Sequence, residues 1–363
     1  MNIKDIKTDC RLFRGDIPCK PHKQYGVHCL DEKGNDCKYY DKIREKILII
    51  KLGAAGDVIR TTPLLHKFKN EFPGAKIFWL THFPSMVPNL ADDILKFDLS
   101  SITFLKSVEF DYLFNLDKDK EACALALSLN AKNKKGFILK NGNPFPAGKD
   151  AEAKFMTGLF DDVNKANTKN YLEEIFEICG FGYSGERYIL PEFKSDKVWD
   201  VDHSKKIVGL NIGCGGRWTS RLWPDEHWIK LTEQLIEKKY EVIFLGGEQE
   251  DEKNKFLSSS SGGKYFGYFD LPTFVNLMNQ CDLIVTGVTM AMHITLGLNK
   301  KIVLLNNIFN PNEFELFGLG KIIQPDKECK CFFSPTCTND DYKCMEHLHP
   351  EKVYATIEEL FSK

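Results

Sequence analysis

Hydrophobic positions in this chain fall into short unbroken runs separated by stretches in which they recur every three or four residues. That is the pattern of strands buried on both faces alternating with amphipathic helices. The first run is KILIIKL (46–52); a helix carrying Leu65, Phe68 and Phe72 follows, then KIFWL (76–80) and DYLFNLD (111–117). Pro63 predicts that this helix begins near Thr61 or is kinked there, because proline has no amide hydrogen to give. Residues 141–162 are rich in Gly, Pro and polar side chains and read as a loop or lid. A helix with Leu172, Ile175 and Phe176 comes next, then a linker near Pro191 to Lys205. The alternation restarts with KIVGLNIG, a helix with Trp228, Leu231 and Leu235, EVIFLGG, a second helix, DLIVTG, the helix MAMHITLGL and the strand KIVLLNN. The fold class is therefore α/β, with two doubly wound halves built on parallel sheets. Expected boundaries are 1–44, 45–195, 196–326 and 327–363.

The two end segments break this pattern. Residues 1–44 are rich in Lys, Asp, Gly and Cys without periodicity, so they bury little apolar area and need a tether. Of 12 cysteines, Cys10, Cys19, Cys29 and Cys37 lie in that segment and Cys329, Cys331, Cys337 and Cys344 in the last. His22 and His28 accompany the first group, His347 and His349 the second; Cys123, Cys179, Cys214 and Cys281 are scattered and read as small hydrophobes.

Net charge is −2, and no basic stripe points to nucleic acid. Lys132, Lys134 and Lys135 read as a solvated loop. The start, MNIKDIKTDC, lacks the apolar core of a signal peptide, and no apolar run is long enough to span a bilayer, so a cytoplasmic location is the expectation. There the cysteines are expected as thiols or metal ligands rather than disulfides.

Candidate chemistry clusters after the strands, where open α/β sheets bind ligands. After the first strand, Gly53, Ala54, Ala55 and Gly56 let a ligand approach the backbone, and Asp57 is the first candidate catalytic group; its alternative role is helix capping. NIGCGGRWTSRLWP (211–224) combines a strand end, glycines including Gly215 and Gly216, the cations Arg217 and Arg221, and a helix opening at Trp223 and Pro224. Such a turn is an anion site, and arginine adds bidentate contacts to phosphate. In LGGEQEDE (245–252), Gly246 and Gly247 end a strand, and Glu250 is the candidate acceptor of ribose hydroxyls, against a plain role at the helix dipole. VTGVTMAMHI (285–294) supplies Thr289 and the amides opening the next helix for a diphosphate, with Met292 and His293 for the donor sugar or diphosphate; the plainer reading of His293 is a core histidine.

Three of these stretches, KLGAAGDVIRTTPLL, NIGCGGRWTSRLWPDEHW and VTGVTMAMHI, together resemble the family nine glycosyltransferases, the heptosyltransferases of bacterial surface polysaccharide synthesis, over roughly Lys46 to Pro325. The resemblance implies a GT-B fold of two facing Rossmann-like domains. Residues 45–195 would bind the acceptor, with Gly53, Ala54, Gly56 and Arg60 on the acceptor side, and 196–326 the nucleotide sugar. PEKVYATIEELFSK would be a final helix crossing back to the first domain. By position Asp57 matches the catalytic acid and Arg221 the basic residue on the donor diphosphate. The implied reaction is an inverting, metal-independent transfer from a nucleotide-diphosphate sugar, ADP-heptose for the family, to a saccharide or glycolipid acceptor, the latter with peripheral membrane contact. Two positions depart from the family pattern: Val288 stands where an acid usually precedes the threonine, and Met290 where a glycine follows it. Those departures, with the cysteine-bearing ends, keep open a non-catalytic nucleotide-sugar-binding protein; a second alternative is a nucleotide-sugar epimerase of similar fold.

No cofactor is expected for catalysis. For the cysteine groups, structural zinc or an iron–sulfur cluster is favoured, with disulfides the alternative. The first group's spacing does not fit the compact pairs of zinc ribbons, and Cys329-Lys330-Cys331 is uncommon for a zinc knuckle.

Overall fold

The computed structural model describes residues 2–362; Met1 and Lys363, the outermost residues of the two expected end segments, lie outside the described residues. After α1 (Lys20–Tyr25) come β1 (Lys46–Ile50), α2 (Ala55–Thr61), α3 (Leu64–Glu71), β2 (Lys76–Thr81) and β3 (Asp93–Lys96). Then follow α4 (Leu99–Lys106), β4 (Phe110–Asn115), α5 (Lys120–Ser128), β5 (Ala131–Lys140) and β6 (Asn143–Pro146). Three helices, α6 (Glu152–Thr157), α7 (Asp161–Ala166) and α8 (Tyr171–Cys179), precede an irregular stretch to residue 206. The second series is β7 (Ile207–Asn211), α9 (Asp225–Glu237), β8 (Glu241–Leu245), α10 (Asp251–Ser261), β9 (Lys264–Tyr265) and α11 (Leu271–Gln280). It ends with β10 (Leu283–Gly287), α12 (Met290–Gly297), β11 (Lys301–Leu305), β12 (Gly320–Ile323) and α13 (Pro350–Ser362).

The first sheet runs β3-β2-β1-β4-β5-β6, parallel apart from β6, which lies antiparallel on β5. The second runs β12-β11-β10-β7-β8-β9 and is parallel throughout. Counted from its own first strand, each sheet has the order of the dinucleotide folds, in which ligands bind where the order reverses. In the second sheet that point lies between β7 and β10.

Packing divides the chain into two compact units. One comprises Met1–Leu52, Leu64–Pro84 and Asn89–Ala151; the other comprises Gly53–Pro63, Ser85–Pro88 and Glu152–Lys363. This division differs from the sequence boundary at 195/196: α2 and helices α6 to α8 pack with the second unit.

In the first unit, Ile47, Leu48, Ile49 and Ile50 are each 0% exposed, which explains an apolar run without alternation. The amino-terminal segment is fastened here by Arg11, whose guanidinium donates to Asp92 at 2.7 Å, the Ala75 carbonyl at 2.8 Å and Asp41 at 2.8 Å. Pro63 separates α2 from α3: the helical segment starts at Ala55 rather than near Thr61, and it is broken at the proline, the other outcome expected there. Two expectations are corrected. Residues 141–162 are not a lid: Asn143–Pro146 form an edge strand, where prolines are tolerated, and α6 and the start of α7 follow. Lys132, Lys134 and Lys135 are in strand β5 rather than a loop; Lys132 pairs with Asp111 at 2.7 Å and Lys135 with Asp150 at 2.8 Å.

In the second unit, Leu210, Trp223, Trp228, Leu231, Leu235 and Val285 share one core with Val353, Ile357 and Leu360 of α13. The apolar stripe of α13 is therefore spent inside this unit, on α9 and beside β11 and β12, where the sequence sent the last helix back to the first domain. Among the described residues no helix is long and apolar enough to cross a membrane.

Candidate functional site

β7 and β10 lie side by side in register, Asn211 opposite Thr286. Their onward connections leave to opposite sides, and a cavity of about 630 Å³ opens at their carboxyl ends, walled by residues of the second unit alone. Asn211, buried at the strand end, ties the two turns together: its Nδ2 donates to Thr286 Oγ1 at 3.0 Å and Thr289 Oγ1 at 3.4 Å. Thr289 caps α12, its Oγ1 accepting from the Ala291 amide at 3.2 Å. The positive end of α12 thus faces the cavity wall formed by Thr289, Met290 and Ala291.

Glycines let the opposite wall close up. The Glu250 carboxylate occupies the space beside Gly213, where a Cβ would lie 2.2 Å from its Oε1. Glu250 Oε2 accepts from the Gly247 amide at 3.0 Å, and Gln249 Oε1 accepts from the Gly216 amide at 2.9 Å. Arg221, half-buried between Trp218 and Phe309 with their ring centroids 5.5 and 5.4 Å away, donates to the carbonyls of Val288 and Cys214. No carboxylate offsets its charge among the described residues, its Nε has no partner, and burial pulls its pKa down. A desolvated cation without a counter-ion on a cavity wall is a site prepared for an anion.

On the facing wall stands α2. Asp57 Oδ2 accepts from the Ala54 amide at 3.1 Å, and Oδ1 pairs with the Arg60 guanidinium at 2.8 Å. Arg60 also pairs with Glu313 at 2.9 Å, and its guanidinium carbon lies over the Tyr171 ring, 3.5 Å from the centroid. Burial works against the Arg60 charge, but Asp57, Tyr171 and Glu313 more than compensate and raise its pKa. Gly56 lets α2 approach α12: a Cβ there would lie 2.5 Å from His293 Cδ2. His293 is 5% exposed, its Nδ1 lacks a partner, and its pKa is lowered to about 3, by burial first and then by Arg60, against a smaller pull from Asp57. Its imidazole is therefore neutral near pH 7.

This carries a stability prediction. The unfolded chain protonates His293 near its ordinary pKa of about 6.5 while the fold resists, so the unfolded state binds more protons and stability falls as pH drops below about 6.5. His293→Gln should make the decline of Tm between pH 6.5 and 4 shallower, by up to about one proton's worth, or 1.4 kcal/mol per pH unit. Parallel Tm–pH curves for the two proteins would show that His293 is not the group resisting protonation.

The description glycosyltransferase family 9 (heptosyltransferase) matches residues 181–343. The resemblance is to the family nine glycosyltransferases. A curated relative, lipopolysaccharide heptosyltransferase 2 of Escherichia coli (strain K12), is 28% identical over 100 residues, 26% of this chain; that stretch spans 29% of the relative's length. Among solved structures, the family 9 glycosyl transferase from Veillonella parvula DSM 2008 superposes with a TM-score of 0.68 at 18% identity, covering 88% of this chain and 97% of that one. The E. coli ADP-heptose lipopolysaccharide heptosyltransferase II does so with 0.61 at 17%, covering 87% and 98%. The fold shared with them is GT-B, as the sequence resemblance implied.

The cavity of this GT-B chain gathers most of the residues singled out in the sequence. Ala54, Gly56, Asp57, Arg60, Gly215, Arg221, Gly246, Gly247, Glu250, Thr289 and His293 all line it. Gly53, Gly216 and Arg217 are not on its wall; Arg217 is exposed and reaches the Trp218 ring at 5.5 Å. Met292 is corrected outright: it is 1% exposed and packs with Leu296, Ile302 and Leu304. Cys214, read as an ordinary small hydrophobe, is instead half-buried on the cavity wall, and burial raises its pKa. Unforeseen wall residues are Asn211, Trp218, Phe309, Glu313 and Phe333. Asn211 ends β7, Trp218 lies in the turn after it, Phe309 and Glu313 follow β11, and Phe333 comes from the carboxyl-terminal loop.

The eight terminal cysteines are free thiols. In the second unit Cys331 Sγ lies 3.5 Å from Cys337 Sγ, and Asn307 Nδ2 donates to Cys344 Sγ at 3.3 Å. This loop also supports the arginine turn: Ser220 Oγ donates to the Ser334 carbonyl at 2.6 Å, and Asn307 Nδ2 to the Ser220 carbonyl at 2.9 Å. Among the described residues, no three His, Cys, Asp or Glu side chains are gathered closely enough to hold a bare metal ion.

Proposed function

We propose that this protein transfers a sugar, with inversion, from a nucleotide-diphosphate sugar to a saccharide or glycolipid acceptor of a cell-surface glycan. The observation that carries this reading is Arg221, a desolvated guanidinium without a counter-anion, lining the same cavity as Asp57. The acceptor hydroxyl gives its proton to Asp57 as its oxygen bonds to the anomeric carbon. The bond from that carbon to the diphosphate oxygen breaks on the opposite face, and the leaving diphosphate keeps the electron pair. Arg221 and the amides at the start of α12 stabilise that charge without calling on a metal. Glu250, with Gly246 and Gly247, meets the ribose hydroxyls.

ADP-heptose is the proposed donor, in line with what the E. coli relative's name says of that protein. The reaction is read as cytoplasmic, at the inner face of the membrane when the acceptor is a glycolipid. The terminal cysteine groups are read as structural, with no part in the transfer step.

A thermal-shift panel of ADP, GDP, UDP, CDP and their sugar conjugates tests the donor half. A nucleotide at about 100 times its Kd should add roughly 2.7 kcal/mol of stability, and no shift with any of them would overturn the reading. Arg221→Ala should weaken binding of the selected nucleotide by about 1–3 kcal/mol in calorimetry, the scale of a charge-assisted hydrogen bond. Equal affinity would move the diphosphate elsewhere.

A further inference from the structure

Among the described residues 2–44, Pro21 alone is buried, and α1 is the one α-helix. A segment that buries so little cannot offset the entropy of ordering its backbone. Yet it follows a defined path, with Arg11 N–H to the Asp41 carbonyl at 2.8 Å, Ile43 N–H to the Asp9 carbonyl at 2.8 Å and Cys37 N–H to the Cys29 carbonyl at 2.9 Å. At its centre is a cavity of about 350 Å³, and Cys10, Cys19, Cys29 and Cys37 all lie on the wall, with His22 and His28. The four thiols come from positions spaced along 28 residues of sequence and share no disulfide.

Two local contacts prepare these side chains as ligands. The Tyr39 N–H donates to Cys37 Sγ at 3.4 Å and fixes where that sulfur lies. His22 Nδ1 lies 2.9 Å from the Val27 carbonyl oxygen. A carbonyl only accepts, so Nδ1 carries the hydrogen and donates it, the kind of outer hydrogen bond that orients metal-binding histidines.

The size of the space selects the occupant. A single zinc ion needs its donors within about 2.0–2.3 Å of one point, and among the described residues no three ligating side chains converge in that way. Four thiols spread around a cavity of about 350 Å³ instead match a group several atoms across. Clusters of iron and sulfide are held by four cysteine thiolates. We propose that Cys10, Cys19, Cys29 and Cys37 hold an iron–sulfur cluster, which supplies the core that the amino-terminal segment lacks, with His22 beside it on the same wall.

The full-length protein, purified without oxygen, provides the test. Iron and acid-labile sulfide should be present at about two to four atoms each per chain, with a broad visible absorption. Both should be lost in Cys19→Ser and Cys29→Ser and kept in the Cys331→Ser/Cys337→Ser protein, which separates this site from the carboxyl-terminal cysteines. Because the first two variants can misfold, differential alkylation of the unmutated protein is the second readout. Cys10, Cys19, Cys29 and Cys37 should alkylate at least about tenfold more slowly before the iron is stripped by chelator than after, since a metal-bound thiolate is not free to attack. One zinc per chain, lost with the same substitutions, would overturn the cluster. Equal alkylation before and after chelation would overturn any metal centre here. Neither readout involves nucleotide or sugar, so the outcome is independent of the transfer reaction.

Discussion

Asp57→Asn should keep nucleotide affinity within about twofold and lower sugar transfer by about 10²–10⁴-fold, the contribution of a positioned general base. The substitution is nearly isosteric. An asparagine oxygen can still accept the Ala54 amide hydrogen that Asp57 Oδ2 accepts at 3.1 Å, so the start of α2 stays capped. Arg60 keeps Glu313, 2.9 Å away, as its counter-ion, and the fold does not lose a paired cation. What is lost is the capacity to take a proton. The measurement is nucleoside diphosphate release with and without a saccharide acceptor, beside a Tm and a nucleotide titration of the same variant. Unchanged turnover would reduce Asp57 to its capping role. Nucleotide binding with no turnover in either protein would favour a non-catalytic binding protein. Nucleotide release that needs no acceptor in the unmutated protein would favour the epimerase alternative.

Much of this site was legible because each part sits directly after a buried strand. Asp57 follows KILIIKL and Arg221 follows KIVGLNIG, and parallel sheets present their ligands at that end of every strand. The parts that were not legible depend on distance along the chain or on facing direction. Glu313 meets Arg60 from 253 residues away, and nothing local to either residue announces the partner. Met292 and His293 are neighbours in sequence but about 100° apart around a helix. His293 shares a face with Thr289 and reaches the cavity, while Met292 shares one with Leu296 and goes to the core. The strand β5 was hidden by its lysines, which take up Asp111 and Asp150, and β6 by the prolines that its edge position tolerates. The cysteine spacing at the amino terminus matches no compact metal motif, and only the fold brings those four thiols to one cavity.

Arg60→Met should destabilise the protein by about 3–5 kcal/mol, the cost of removing one member of a mostly buried ionic group. The Arg60 and Glu313 side chains are 14% and 17% exposed and Asp57 31%, so the lower end of that range is expected. At about 2–4 °C per kcal/mol for a unit of this size, Tm should fall by roughly 6–12 °C. Methionine keeps the apolar packing on the Tyr171 ring, so the loss reports charge rather than volume. Two carboxylates are then left facing each other without the guanidinium that lies 2.8 Å from Asp57 and 2.9 Å from Glu313. Adding Glu313→Leu should recover part of the stability, because an ionic pair replaced on both sides by apolar groups is often close to neutral. No recovery in the double variant would mean that Arg60 acts through its stacking on Tyr171 and not as the shared counter-ion of Asp57 and Glu313.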